Sequence, residues 1–254
     1  MLRLGCVPYL NALPLTYFLD PNRVEILHRP PSQLKDLLRS GRVDAALLPI
    51  VDYFENKDFH LIPDIAIASK GAVHSVKLFM KNLNQPVERL KYLYLDSESK
   101  TSHSLLKVLL KARFGRSLAD LEFLKDQSDP RIEASLLIGD KALHFPFPEG
   151  ALDLGASWWE WTNKPFTFAA WMTRGQGGDG VTQILQKARE EGLKHLDDIV
   201  EANPALPPPF LKEYLTNAVQ YYMGPEELEG IRIFFEHLKP IEGYSHELAF
   251  RFVS

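Results

Sequence analysis

Polar side chains stand where several short apolar runs of this 254-residue chain end. Tyr9 and Asn11 follow the first run, which begins at Leu2, and Asp140 follows a later one. Because ligands of open α/β sheets bind at the carboxyl ends of the strands, these positions predict a ligand site with phenol, amide and carboxyl groups. The alternative is local, since Asn11 and Asp140 are also residue types that begin helices.

Hydroxyl groups form a second set of candidates. Ser97, Thr101 and Ser102 precede an apolar segment that is predicted to be helical. Ser75 follows a glycine turn. Hydroxyls beside the free N–H groups of a helix start favour anion binding, which suits a carboxylate ligand. A capping box or a solvated loop is the structural alternative for the residues around the helix start.

Signatures of metal, nucleotide and nucleophilic chemistry are weak in the sequence. The histidines include no pair four residues apart, and the single cysteine, Cys6, is predicted to be buried in the first strand. The glycines of segment 175–180 formally match a dinucleotide pattern, but the segment after them is predicted to be helical and offers no second strand. We interpret this segment as a linker. No nucleophile elbow is present.

Alternating apolar periodicity predicts the elements that position these residues. Expected strands cover residues 3–7, 24–28, 43–48, 62–68, 75–80, 92–95, 122–124, 134–138 and 166–172. Expected helices cover residues 13–19, 32–40, 105–114, 181–191, 196–201, 208–219 and 226–238. Ser32 is predicted to cap the second helix and Gly41 to end it. This order predicts an α/β fold with parallel strand pairs.

Two α/β halves followed by a helical C-terminal part predict two lobes with a ligand cleft between them. The first lobe is expected to contain residues 1–80 and 170–254, and the second, inserted lobe residues 81–169. Two chain crossings between lobes form a hinge, and the cleft is the expected binding site.

Composition narrows the class of partner. The chain is 45% hydrophobic with a formal net charge of −4, which gives no electrostatic footprint for nucleic acid. No apolar run has the length of a membrane span, and the N-terminal residues lack the pattern of a signal peptide. We therefore expect a cytoplasmic protein whose partner is a small molecule, with neither nucleic acid nor membrane involved.

Seven segments, in the same order along the chain, resemble the menaquinone-biosynthesis chorismate dehydratase family. They are VPYLNALPL (7–15), GRVDAALLP (41–49), GAVHSV (71–76), LDSESKTS (95–102), LIGDKAL (137–143), DLGASW (153–158) and PFTFAAW (165–171). The resemblance covers nearly the whole chain. The glycine segment 175–180 departs from it.

The resemblance implies a two-lobed, periplasmic-binding-protein-like (type II) fold and a cofactor-independent hydro-lyase of the futalosine route to menaquinone. Its substrate would be chorismate, which loses water to give 3-[(1-carboxyvinyl)oxy]benzoate. Asn11 would be the catalytic residue, hydrogen-bonding the leaving hydroxyl. The expected substrate-binding residues are Tyr9, Ser75, Ser97, Thr101, Ser102 and Asp140.

The proton acceptor has two candidates. No histidine or glutamate falls on a matched motif, so the hypothesis is that the substrate's enolpyruvyl carboxylate removes the proton, with Asp140 as the alternative general base. Two other functions also remain open: a non-catalytic protein that binds small carboxylates, and the related enzyme that forms 1,4-dihydroxy-6-naphthoate. The latter reaction would call for a histidine in the cleft.

Overall fold

Two mixed five-stranded sheets form the framework of the protein in a computed structural model that describes residues 1–96, 99–145, 150–175 and 180–253. In chain order the strands of these described residues are β1 Leu2–Cys6, β2 Val24–His28, β3 Ala45–Pro49, β4 Phe59–Ser69, β5 Val76–Met80, β6 Tyr92–Leu95, β7 Glu122–Leu124, β8 Ala134–Ile138, β9 Ala151–Asp153 and β10 Phe166–Arg174.

Helices connect and cover the strands. They are α1 Leu13–Thr16, α2 Pro31–Arg39, α3 Ile50–Glu55, α4 Lys100–Val108, α5 Asp140–His144, α6 Leu154–Thr162, α7 Val181–Lys194, α8 Leu196–Glu201, α9 Pro208–Glu213 and α10 Pro225–Glu242. Wider helical turns extend α4 over Leu109–Arg113 and α9 over Tyr214–Ala218. Within the described ranges, no helix is both long and apolar enough to cross a membrane.

The first sheet has the strand order β2-β1-β3-β10-β4, and the second has the order β7-β6-β8-β5-β9. In the first, β1 is parallel to β2 and β3, while β10 is antiparallel to β3 and β4. In the second, β6 is parallel to β7 and β8, while β5 is antiparallel to β8 and β9. The predicted α/β class with parallel strand pairs is therefore confirmed, and each sheet also carries antiparallel strands.

The strands place the crossings between sheets earlier than the sequence predicts. Strand β5 belongs to the second sheet and all of β10 to the first. The expected boundaries at residues 80/81 and 169/170 therefore fall inside or after strands that have already changed sheet. The sequence of an apolar strand does not show which of two sheets the strand joins. Periodicity therefore misplaces these boundaries.

Capping of α2 also differs from the prediction. Its N-cap is Pro30, with no side-chain hydrogen bond, so the assignment of Ser32 as N-cap is wrong. Pro31 at the first helical position removes one of the unpaired N–H groups of the helix start. Gly41 follows the helix with φ of 70°. It therefore supplies the left-handed residue that ends many helices, as predicted.

One continuous hydrophobic core joins the two sheets. Trp158 of α6, Phe166 of β10 and Phe234 of α10 meet there, with ring centroids 5.2 Å apart for Trp158–Phe166 and 6.0 Å apart for Trp158–Phe234. Trp158 is fully buried in this core. Leu105 of α4 is fully buried in the same core.

Candidate active site

A small cavity lies between the carboxyl-end loops of the two sheets. Its volume is about 70 Å³. The residues of the described chain that line it are Val7, Tyr9, Asn11, Pro31, Leu47, Pro49, Ile67, Val73, Ser75, Val76, Ser99, Ser102, Ile138, Gly139, Phe168 and Ala169. This lining combines an apolar surface with a few hydroxyl and amide groups, and none of the residues named is acidic, basic or a histidine.

Strand β1 delivers Tyr9 and Asn11 to the cavity. The chain leaves β1 through Pro8 and enters a single tight turn over Leu10–Ala12, which carries Asn11. Tyr9 packs across the cleft against Gly139, where an added Cβ would lie 3.5 Å from the tyrosine ring. The Oδ1 atom of Asn11 is buried and has no hydrogen-bond partner among the described residues.

The turn between β4 and β5 delivers Ser75. Asp153, the N-cap of α6, accepts hydrogen bonds from the backbone N–H groups of Val73 (3.1 Å) and His74 (2.8 Å). His74 has φ of 60°, a left-handed conformation that this pair of bonds holds in place. Ser75, only 1% exposed, therefore sits on a turn that a carboxylate anchors.

The start of α4 delivers Ser99 and Ser102. Ser99 caps the helix by accepting a hydrogen bond from the Ser102 N–H at 3.2 Å, and the two hydroxyl oxygens lie 2.9 Å apart. Both residues line the cavity. The same two hydroxyls therefore form the helix cap and are also available to a ligand. Ser97, another predicted binding residue, lies outside the described residues, as do residues 176–179 of the glycine segment.

The structure gives Thr101 and Asp140 other contacts. Thr101 is fully buried, and its hydroxyl oxygen accepts a hydrogen bond of 3.5 Å from the backbone nitrogen of Val51. Asp140 accepts a hydrogen bond from the Leu10 N–H at 3.2 Å, which links the two lobes. The N-cap of α5 is Gly139, so the capping alternative for Asp140 is wrong. Neither residue is among those that line the cavity.

Tyr214 is a buried tyrosine that the sequence analysis does not single out. It is 1% exposed. Burial raises the pKa of Tyr214 above its ordinary value, and hydrogen bonding to Ser75 and Asn11 only partly opposes this. No motif marks Tyr214 in the sequence, because it lies on one face of an ordinary amphipathic pattern far along the chain.

Cations near the cleft are already engaged. Lys100 forms an ion pair with Glu55 and lies 4.0 Å from Asp52, whose other partner is Lys35 at 3.2 Å. Burial raises the pKa of Asp52, against the lowering effect of Lys35 and Lys100. Neither Lys35 nor Lys100 therefore adds a positive charge to the cavity lining.

Arg3, Arg174 and His103 also have partners within the protein. Arg3 lies 3.7 Å from Asp44, and Arg174 donates to the Arg39 carbonyl at 2.8 Å. Burial lowers the pKa of His103, next to Ser102, although hydrogen bonding to the Asp96 carbonyl opposes the shift. Across the described ranges, no three His, Cys, Asp or Glu residues are grouped so that they could hold a metal ion.

Comparisons with known proteins identify relatives over nearly the whole chain. A family model described as menaquinone biosynthesis matches residues 2–240. The chain is 33% identical to a chorismate dehydratase of Thermus thermophilus in an alignment 264 positions long that covers 92% of this chain and 94% of that protein. It is 30% identical to a chorismate dehydratase of Campylobacter jejuni in an alignment 175 positions long that covers 65% of this chain and 64% of that protein.

Solved structures share the fold at low sequence identity. Protein AF1704 of Archaeoglobus fulgidus has a TM-score of 0.72 at 15% identity, covering 95% of this chain and 97% of its own. The periplasmic aliphatic sulphonate binding protein SsuA of Escherichia coli has a TM-score of 0.65 at 14% identity, covering 97% of this chain and 89% of its own. These likenesses confirm the predicted periplasmic-binding-protein-like fold. Together with the family model and the Thermus relative, they lead to one conclusion: the chain belongs to the menaquinone-biosynthesis family.

Proposed function

We propose that this protein is a chorismate dehydratase, which removes water from chorismate to give 3-[(1-carboxyvinyl)oxy]benzoate. The proposal is supported by the family membership and by one feature of the site. Asn11, Ser75, Ser99 and Ser102 present amide and hydroxyl groups on a lining that is otherwise mostly apolar. Such groups suit the binding and orientation of a carboxylated ring more than they suit attack on it.

The elimination removes a proton from C3 and hydroxide from C4 of chorismate, and the ring becomes aromatic. Aromatisation supplies the driving force, so the protein's task is to orient the dianion and to stabilise the charge that develops. In the proposed mechanism the Asn11 amide hydrogen-bonds the departing C4 hydroxyl. Ser75, Ser99 and Ser102 hydrogen-bond the carboxylates, while Tyr9 packs on the ring.

The substrate itself supplies the base in this proposal. No acid, base or histidine is among the described lining residues, and Asp140 already accepts the Leu10 N–H. The enolpyruvyl carboxylate is tethered to C3 through one ether oxygen, and such tethering gives a high effective molarity. The reaction then needs neither a cofactor nor a metal, and the proposal keeps the cytoplasmic location that the family resemblance implies.

The cleft has to widen to admit this substrate. Its volume of about 70 Å³ accommodates only a few water molecules. Pockets for small molecules typically measure about 300–1,000 Å³. The proposed cycle therefore includes a separation of the lobes around the two crossings, during which the Asp140–Leu10 hydrogen bond opens.

The decisive test mixes the metal-free protein with chorismate and follows the products by chromatography and ultraviolet absorbance. We expect 3-[(1-carboxyvinyl)oxy]benzoate to form. Binding of chorismate without turnover would favour a carboxylate-binding protein instead. Absence of any interaction would exclude both, and the 1,4-dihydroxy-6-naphthoate reaction would then be assayed.

Two variants separate the roles of Asn11 and Asp140. Asn11→Ala should lower kcat/KM at least about 100-fold, the loss typical of removing a donor that acts on developing charge. Asp140→Asn keeps an oxygen that accepts the Leu10 N–H and should retain turnover within about tenfold of the original protein. Circular dichroism checks that both variants fold. Complete loss of turnover in folded Asp140→Asn would identify Asp140 as the general base.

A further inference from the structure

We propose that the protonated side chain of His144 holds the empty cleft closed, so that the entry of a ligand depends on pH. The contact is a hydrogen bond between the last residue of α5 in the second lobe and the carbonyl group of Ala205 in the first lobe. Its effect on chorismate rests on the proposed function, whereas its effect on the opening of the lobes does not.

Helix α5 contacts the first lobe at both of its ends. Asp140 at its start accepts the Leu10 N–H at 3.2 Å, and Nε2 of His144 at its end lies 3.1 Å from the Ala205 carbonyl oxygen. Ala205 lies in the connection between α8 and α9, and α8 packs against α1 and α7 on the side of the first sheet. Residues four apart share one face of a helix, so this face of α5 makes two contacts across the cleft.

Both ring nitrogens of His144 face carbonyl oxygens. Nδ1 lies 2.6 Å from the carbonyl oxygen of Asp140, and Nε2 lies 3.1 Å from that of Ala205. A carbonyl oxygen can only accept hydrogen bonds, and a neutral imidazole carries a single N–H group. Both hydrogen bonds therefore form only when the ring is protonated and donates through each nitrogen.

Loss of the proton breaks the hydrogen bond between the lobes. The shorter hydrogen bond, to the Asp140 carbonyl, lies within α5 and keeps the one remaining hydrogen on Nδ1. The lone pair of Nε2 then points at the lone pairs of the Ala205 oxygen, and the two groups repel each other. Histidine side chains change charge between about pH 5 and 8, so the contact is lost as the pH rises through this range.

The other titratable groups of these elements do not account for such a change. Residues 202–210 around Ala205 include no titratable side chain. The carboxylates and lysines nearest to the contact keep their charge between about pH 5 and 8. Those on α5 and on either side of residues 202–210 are Asp140, Lys141, Glu201 and Lys212, while Glu149 lies outside the described residues.

A second histidine, His195, precedes α8 at the end of that helix remote from Ala205. Its ring nitrogens lie 3.6 Å from Glu191 and 3.4 Å from Asp198, both of which belong to the first lobe. It therefore titrates in the same pH range without a contact to α5, and it provides a matched control.

The closed state that contains this contact is too small for a substrate. Its cavity measures about 70 Å³. A ligand of ordinary size therefore binds only the fraction of molecules in which the lobes have separated, and its apparent dissociation constant increases as this fraction decreases. At low pH the protonated ring favours the closed state and weakens binding. As the pH rises, the contact is lost and binding strengthens.

Hydrogen exchange of the Leu10 amide measures the opening without any ligand, because this N–H bonds Asp140 across the cleft. We expect its protection factor, which is corrected for the intrinsic effect of pH on exchange, to fall at least about threefold between about pH 5.5 and 8. The Asp44 amide, which donates to the Arg3 carbonyl at 2.8 Å within the first lobe, is the internal reference.

His144→Gln keeps an N–H donor but takes up no proton, so the Leu10 protection factor should be the same at both pH values in this variant. His195→Gln should retain the change seen in the original protein. Protection that does not depend on pH in the original protein would overturn the inference. The same dependence in His144→Gln would also overturn it.

Chorismate tests the consequence for binding. We expect KM to fall at least about threefold between about pH 5.5 and 8 in the original protein and in His195→Gln, and to stay constant in His144→Gln. A constant KM in an active original protein would contradict the inference. If the protein neither binds nor converts chorismate while Leu10 protection still depends on His144, the proposed function fails and the role of His144 in closing the cleft stands.

Discussion

A single carboxylate, that of Asp153, organises the turn on which Ser75 depends. Besides the N–H groups of Val73 and His74, it accepts the Ala156 N–H at 3.0 Å and so caps α6. One side chain thereby connects the β4–β5 crossing to the helix that precedes β10. Both connections between the sheets therefore meet at Asp153.

Asp153→Ala should lower the free energy of unfolding by about 2–3 kcal/mol, because it removes a helix cap and two charge-assisted hydrogen bonds. Urea denaturation measures this loss. Asp126→Ala is a suitable control, since Asp126 bonds the Ser128 backbone and hydroxyl in an exposed turn. Its cost should stay below about 1 kcal/mol. Equal losses in the two variants would contradict the anchoring role of Asp153.

Residue types near strand ends predict part of the site, and packing decides the rest. The sequence places Asn11, Ser75 and Ser102 where the cavity lies, because strand ends and a glycine turn have local signatures. It cannot separate Ser102 from its neighbour Thr101, whose side chain faces α3 one helical position away.

At the scale of elements, α7 supports the segment that carries Asn11. Gly192 of α7 lies against the backbone of Pro14, where an added Cβ would approach within 2.9 Å of the proline Cα. This close approach fixes α1 against α7. Because α1 directly follows the turn that contains Asn11, the position of α7 determines where the Asn11 side chain can reach.

Gly192→Ala should destabilise the protein by about 1–3 kcal/mol, the usual cost of overpacking, because a backbone group cannot rotate away as a side chain can. The decrease in the thermal unfolding midpoint measures this loss of stability. Gln183→Ala, an exposed position in the same helix, should leave stability nearly unchanged. If Gly192→Ala were as stable as this control, the contact between α1 and α7 would be looser than the structure indicates.

Several short elements have the bounds that the sequence predicts, namely strands β2, β6, β7 and β8 and helix α8, whereas the longest elements extend beyond their predicted ends. The short helix α3 directly follows β3 with no loop between them, so their apolar residues form one uninterrupted run. Helix α6 is not predicted from the sequence because its tryptophans are also common in strands. Tertiary packing determines such segments, and periodicity alone cannot.

At the scale of the whole molecule, the two lobes share their interior. Helix α4 is inserted in the chain among the strands of the second sheet, yet its buried Leu105 and Leu106 join the core that also contains residues of the first sheet. Lys107 of α4 also pairs with Glu242 of α10 at 2.9 Å. The lobes are therefore separated only at the cleft and share one core elsewhere. We expect the lobes to open by rotation about this shared core.

A shared core predicts a single cooperative unfolding transition, although two lobes of this size often unfold separately. Three of the four tryptophans lie in α6, which packs against β5 and β9 of the second sheet and against β10 of the first, and the fourth lies in β10. Their fluorescence therefore reports on the region where the two sheets meet, whereas far-ultraviolet circular dichroism reports on all of both sheets. Urea curves from the two signals should coincide. Curves with different midpoints would show that the lobes unfold independently.

Leu105→Ala sharpens this test, because it weakens the core from a helix that is inserted among the strands of the second sheet. Truncation of a fully buried leucine costs about 2–5 kcal/mol. With a common core, both the fluorescence and the dichroism midpoints should fall by the same urea concentration. With independent lobes, the loss would be confined to the second lobe, and the two midpoints would fall by different urea concentrations. A joint shift would therefore establish that the cleft opens about an interior that both lobes need in order to fold.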